Sequence, residues 1–200
     1  MKQLVLGGAR SGKSRYAEQL AEAQGKRLIY CATATAGDEE MAARIRHHQA
    51  RRGKAWKLVE EPLALAQTLR SLDSHLNSNS NTAGQVIVVD CLTLWVSNCL
   101  HQDCFDQGQT ELLQVLPALS SEVILISNEV GSGIVPLGQL SRDFVDASGW
   151  LHQRLAELCD QVTLVVAGLP LVLKSNHASR GDKRESVEPA AAVSTIELES

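Results

Sequence analysis

An α/β fold, built as a mostly parallel sheet flanked by helices, is what the sequence predicts, and three observations predict it. Five short apolar, β-branched runs recur at residues 3–6, 27–33, 85–90, 122–127 and 161–167. They are almost continuously apolar, as strands buried on both faces are. Stretches with helical spacing at 13–24, 38–52, 63–72 and 145–158 alternate with them, the pattern of parallel strands joined by crossover helices. The third observation is a glycine-rich segment, GGARSGKS, at 7–14 between the first run and the first helical stretch.

That segment fits G-x-x-x-x-G-K-[ST], with Gly7, Gly12, Lys13 and Ser14 at the fixed positions and Gly8, Ala9, Arg10 and Ser11 among them. Glycine lets successive backbone N–H groups turn inward, and the following helix adds its positive N-terminal end. Lys13 then reaches the outer phosphates of a nucleotide, and the Ser14 hydroxyl can ligate Mg²⁺. With a strand before it and a helix after it, the segment predicts a P-loop NTPase, RecA-like, architecture that binds a nucleoside triphosphate.

Downstream of the second run, the stretch at 38–52 (DEEMAARIRHHQARR) starts acidic and ends basic, which suits a helix dipole. Met41, Ile45 and His48 share one helical face, and Arg44, His47 and Arg51 share another. The histidine doublet permits two readings. In one, a histidine packs and its neighbour is solvated. In the other, a neutral imidazole attacks phosphorus and carries a nucleotide covalently, with nearby arginines holding the triphosphate. Histidines adjacent in sequence point about 100° apart on a helix, which disfavours a shared metal.

A polar loop at 77–84 leads into the third run, which ends in Asp90, where an aspartate can orient Mg²⁺ or its water. A second polar excursion is expected at 101–109. After the fourth run comes SNEVGSGIVP at 127–136. Its glycines are placed to meet a ligand beyond the strand ends, or make an ordinary tight connection.

The 200 residues suit a single domain, expected over 1–174, followed by a polar tail over 175–200, expected to be disordered or loosely packed because its composition cannot bury much apolar surface. The apolar share of 44% and charged share of 21% are those of a globular protein. A formal net charge of −4 gives no overall footprint for nucleic acid or an anionic membrane. No run is long enough to span a membrane, and Met1-Lys2-Gln3 enters a strand directly. The five cysteines form no C-x-x-C pair. Reduced thiols and a cytoplasmic location are therefore expected.

Together these pieces resemble the bifunctional adenosylcobinamide kinase / adenosylcobinamide-phosphate guanylyltransferase family of cobalamin biosynthesis. The matching segments are GGARSGKS, Ala32-Thr33, DEEMAARIRHHQARR followed by Trp56, VVDCLTLWVSN, SNEVGSGIVP, Arg142 and VVAGLPLVLK, in order across about 170 residues. The resemblance implies two reactions: phosphoryl transfer from a nucleoside triphosphate to the aminopropanol hydroxyl of adenosylcobinamide, then transfer of GMP from GTP to that phosphate through a histidine–GMP intermediate.

The family pattern R-I-x-x-H lands on Arg44, Ile45 and His48, so the resemblance implies His48 as nucleophile, with His47 as the rival. It further implies that the P-loop, Ala32, Thr33, Ala34, Gln49, Ala50, Arg51, Arg52, Glu60 and Asp90 contact nucleotide. Lys13 would steady the transferring phosphoryl group, and Ser14 and Asp90 would support Mg²⁺. ATP and GTP are the implied nucleotide substrates, and a homotrimer is the implied assembly. Two other readings stay open from residues alone: a guanylyltransferase only, or a non-catalytic nucleotide switch.

Overall fold

The computed structural model describes residues 1–34, 55–77 and 84–176. Seven strands form one sheet: β1 (Lys2–Gly7), β2 (Arg27–Ala32), β3 (Trp56–Glu60), β4 (Gln85–Asp90), β5 (Glu122–Asn128), β6 (Gln161–Val166) and β7 (Leu169–Ser175), in the order β3-β2-β4-β5-β1-β6-β7. All neighbours pair parallel except β6 and β7, which form an antiparallel hairpin. The helices are α1 (Lys13–Glu22), α2 (Leu65–Asn77), α3 (Leu92–His101), α4 (Phe105–Val115) and α5 (Gln139–Leu158). This is the mostly parallel, helix-flanked, P-loop architecture that the sequence predicts.

The continuous apolar runs resolve into two faces. Leu4, Ile87, Val89, Val123 and Leu125 join the core under α2 to α5, while Val5, Val86, Val88, Ile124 and Ile126 join the core under α1. Alternation along each strand feeds both layers, and each buried Val, Leu or Ile contributes about 1.5–3 kcal/mol relative to exposure. Trp95 is the largest side chain fully enclosed. Its Nε1–H donates to the Leu63 carbonyl at 2.8 Å, so burial leaves that donor satisfied.

Five expected strands are present with ends shifted by a residue or so. Two strands were not foreseen, β3 and β7, both at sheet edges. α3 and α4 were not foreseen either, and α4 occupies much of the excursion expected at 101–109. α5 starts at Gln139 rather than 145. The helix expected at 38–52, most of the loop expected at 77–84 and the tail from 177 lie outside the described residues.

Candidate nucleotide site

β1 ends at Gly7 and α1 begins at Lys13, so the intervening loop sits at the carboxyl edge of the sheet. Arg10 and Gly12 take positive φ, 56° and 96°. Only Gly12 makes that turn without a Cβ penalty, and a Cβ there would also stand 3.2 Å from Gly168 Cα. At Gly7 a Cβ would meet the Val165 carbonyl at 2.5 Å. The loop therefore packs onto the β6–β7 turn, and the Gly168 N–H fixes it by donating to the Ser11 carbonyl at 2.8 Å. Gly8, Ala9 and Arg10 form its exposed rim.

Lys13 is buried, and its Nζ donates to the Gly8 carbonyl at 3.1 Å across the loop. Burial pulls its pKa below the ordinary lysine value, and the Asp90 carboxylate opposes that shift. The ammonium and the carboxylate thus feel one another across the site. Ser14 follows in the first turn of α1, half-buried.

Parallel register brings three further predicted residues to one level. Ala32 pairs with Glu60 on one side and with Asp90 on the other. Asp90 Oδ2 accepts a hydrogen bond from the Tyr30 hydroxyl at 2.6 Å, which fixes the carboxylate. Thr33 is fully buried; its Oγ1 donates to the Cys91 carbonyl at 2.7 Å and accepts the Cys91 N–H at 2.9 Å. The Asp90–Cys91 peptide is cis. Asn98 ties α3 to this corner by donating from Nδ2 to the Thr33 carbonyl at 2.9 Å. Ala34 follows, half-buried, and Glu60 is exposed at the end of the β3 edge strand.

Between β4 and β1, β5 ends beside the P-loop, with Asn128 in register with Gly7. The Asn128 N–H and Nδ2 both donate to Thr93 Oγ1, at 2.9 and 3.1 Å. The Glu129 N–H donates to the Gly7 carbonyl at 3.0 Å, and Glu129 Oε1 accepts from the Gly131 N–H at 2.7 Å. The glycine-rich loop after β5 is therefore anchored to the P-loop by backbone. Below it, buried His152 of α5 holds Ser127 Oγ at 2.7 Å through Nε2.

The structure thus brings together Gly7 to Ser14, Ala32, Thr33, Ala34, Glu60 and Asp90 at one sheet edge. His47, His48, Gln49, Ala50, Arg51 and Arg52 lie outside the described residues. Tyr30 was missed by sequence reasoning. Its signal was a lone phenolic hydroxyl in an apolar run, two residues before the register partner of Asp90. Gly168 was also missed, because its role depends on a contact between distant segments.

The oxygen donors fit a hard cation. Asp90 Oδ2 is taken by Tyr30, which leaves the other carboxylate oxygen and the Ser14 hydroxyl to Mg²⁺, alongside a nucleotide's own oxygens. No group of three or more His, Cys, Asp or Glu side chains suited to a metal occurs among the described residues. An ion shared with a phosphate chain fits this donor set better than a protein cage.

A family model described as cobinamide kinase / cobinamide phosphate guanyltransferase matches residues 3–173. The bifunctional adenosylcobalamin biosynthesis protein CobP of Pseudomonas aeruginosa is 53% identical over 177 residues, covering 87% of this chain and 98% of that protein. CobU of Escherichia coli K12, also named a bifunctional adenosylcobalamin biosynthesis protein, is 36% identical over 190 residues, covering 87% of this chain and 100% of that one. Among solved structures, the Pyrococcus horikoshii OT3 protein PH0250 superposes with a TM-score of 0.52 at 9% identity, over 87% of this chain and 86% of its own, a likeness of fold alone. The matched family segment spans the P-loop, Asp90 and the anchored loop after β5, and the chain belongs to the cobinamide kinase / cobinamide phosphate guanyltransferase family.

Proposed function

We propose that this protein phosphorylates adenosylcobinamide and then guanylylates the product, using one nucleotide-binding edge for both steps. The observation that carries the proposal is the 53% identity across 98% of a relative named as bifunctional. A buried Lys13 facing Asp90 at a P-loop supports it from the chemistry.

In the first step the aminopropanol hydroxyl oxygen attacks the terminal phosphorus of ATP or GTP. The bond to the bridging oxygen breaks, the nucleoside diphosphate leaves, and the hydroxyl proton passes to solvent or phosphate. Such transfers depend on positioning and electrostatics more than on a strong base. The N–H groups of Gly8 to Ser14 and the N-terminus of α1 hold the phosphates, and Lys13 balances charge on the group in flight. Ser14 and Asp90 would hold Mg²⁺, which supplies charge neutralisation on the phosphate chain when bound. Tyr30 orients Asp90 for that task.

In the second step an imidazole nitrogen of His48 attacks the α-phosphorus of GTP and pyrophosphate departs. A phosphate oxygen of adenosylcobinamide phosphate then attacks the same phosphorus and frees the histidine. Gln49, Ala50, Arg51, Arg52, Glu60 and Ala32 to Ala34 contact the nucleotide in this reading. The protein works as a homotrimer, away from nucleic acid. No helix among the described residues is long and apolar enough to cross a membrane, and a cytoplasmic setting fits the thiol chemistry.

Incubation with Mg²⁺ and GTP labelled at the α-phosphate, followed by denaturation and peptide mapping, tests the second step. The expected result is an acid-labile, alkali-stable GMP adduct within 40–52, lost in His48→Ala and kept in His47→Ala. An adduct that survives His48→Ala and vanishes in His47→Ala moves the nucleophile by one position. Bound GTP without any adduct leaves a kinase or a switch and sinks the guanylyl step.

A further inference from the structure

Cys99 and Cys104 look scattered in sequence, but the end of α3 closes them against one another. Asp103 takes φ 53°, in the left-handed region. The Cys104 N–H donates to the Cys99 carbonyl at 3.0 Å, and the Asp103 N–H donates to the Leu100 carbonyl at 3.4 Å. These are the two bonds of a Schellman cap, in which the side chains at the first and sixth positions meet. Here both of those side chains are thiols, and Cys104 packs against the buried cluster that contains Cys99. With the backbone bond at 3.0 Å, the path from one Cα through oxygen and nitrogen to the other is about 7 Å at full stretch. Any bend brings it into the window of about 4.4–6.8 Å that a disulfide needs.

We propose that Cys99 and Cys104 form a reversible dithiol–disulfide pair, a redox modification site at the junction of α3 and α4. The oxidant is a low-molecular-weight disulfide, RSSR. Cys104 is half-buried and Cys99 fully buried, so Cys104 is the thiol an external disulfide reaches. Its thiolate attacks one sulfur of RSSR after losing a proton to solvent, forming Cys104–S–S–R and releasing RS⁻, which is protonated. Cys99 then loses its proton and attacks the Cys104 sulfur, expelling a second RS⁻. The sum is two protein thiols plus RSSR giving one protein disulfide and two RSH. Burial, and next the adjacent Cys104 thiol, push the Cys99 thiol up to about 12, so the second attack is the slower one. The remaining cysteines, Cys31, Cys91 and Cys159, are buried and stay reduced in the native protein. A pair of this kind suits a reducing compartment, where disulfides are transient and respond to oxidant.

The test is exposure of the native full-length protein to oxidised glutathione, then acid quench, alkylation and chymotryptic mapping. Cleavage after Leu100 separates the two cysteines unless they are linked. The expected result is loss of two of the five thiols, a Cys99–Cys104 linkage removed by dithiothreitol, and no lasting glutathione adduct. Cys99→Ser should stop at a Cys104–glutathione mixed disulfide, and Cys104→Ser should stay unmodified. A lasting mixed disulfide on wild-type Cys104, a linkage to any other cysteine, or no reaction at all would overturn the proposal.

Discussion

In the proposed phosphoryl step, two side chains each make a separate prediction. Lys13 is buried, and among the described residues its ammonium donates to the Gly8 carbonyl alone, a contact that a phosphate would replace. Lys13→Ala should lower kinase turnover on the order of 10²–10³-fold, the usual cost of removing one preorganised charge stabiliser. Steady-state turnover beside a melting curve separates this from misfolding; unchanged turnover would remove Lys13 from its role. Tyr30 acts through Asp90 and so is a positioning residue. Tyr30→Phe deletes one hydrogen bond to a carboxylate, worth about 1.5–3 kcal/mol. Turnover should fall by roughly tenfold or more, with the Mg²⁺ concentration needed for half-maximal rate raised. A loss of rate with no change in Mg²⁺ dependence would assign Tyr30 to packing against Trp56, its edge-on neighbour at 6.1 Å.

At the scale of elements, α5 is fastened to β5 by the His152–Ser127 bond, directly below the loop that meets the P-loop. Burial lowers the His152 pKa from 6.5, and Glu129 opposes the shift. The unfolded chain therefore binds a proton below pH 6.5 that the folded chain resists. Stability from this site is complete above 6.5 and declines as pH falls through the lowered folded value. His152→Gln should show a shallower loss of stability on the acid side of pH 6.5, read from urea midpoints across pH, and a lower midpoint near pH 7.5 from the altered Ser127 contact. Equal slopes in both proteins would contradict the assignment. Elements also set how far the sequence could be read. The runs at 85–90 and 122–127 were plain because both faces are buried. β3 (WKLVE) hid because an exposed edge strand keeps charged residues. β7 (LPLVLKS) hid because Pro170 argues against a strand anywhere but an edge, which is where it lies. α3 hid because it is apolar on several faces, so its period is blurred.

Over the whole molecule, the sequence made the P-loop legible because its function is local: glycines, lysine and serine act at fixed spacing on one turn. Asp90 was legible as a strand end. Its alignment with Ala32 and Glu60 was not, since register across three strands is a property of the assembled sheet. Tyr30 and Gly168 share that reason, whereas the Cys99–Cys104 pairing is local and depends on the left-handed backbone at Asp103. Corrinoid specificity was read from resemblance, because apolar residues scattered in sequence do not spell out a corrinoid surface. The proposed function has one nucleotide edge serve two successive transfers onto the same corrinoid. Its most direct test is a single incubation with adenosylcobinamide, Mg²⁺, ATP labelled at the γ-phosphate and GTP labelled at the α-phosphate by a different isotope, followed by separation of the corrinoids. The expected result is γ-label in a monophosphorylated corrinoid that is consumed over time, and α-label together with the retained γ-label in a later GDP-corrinoid, with pyrophosphate released. A repeat with the γ-label on GTP covers GTP as the phosphoryl donor. Neither label in any corrinoid, with nucleotide binding shown separately, would contradict it.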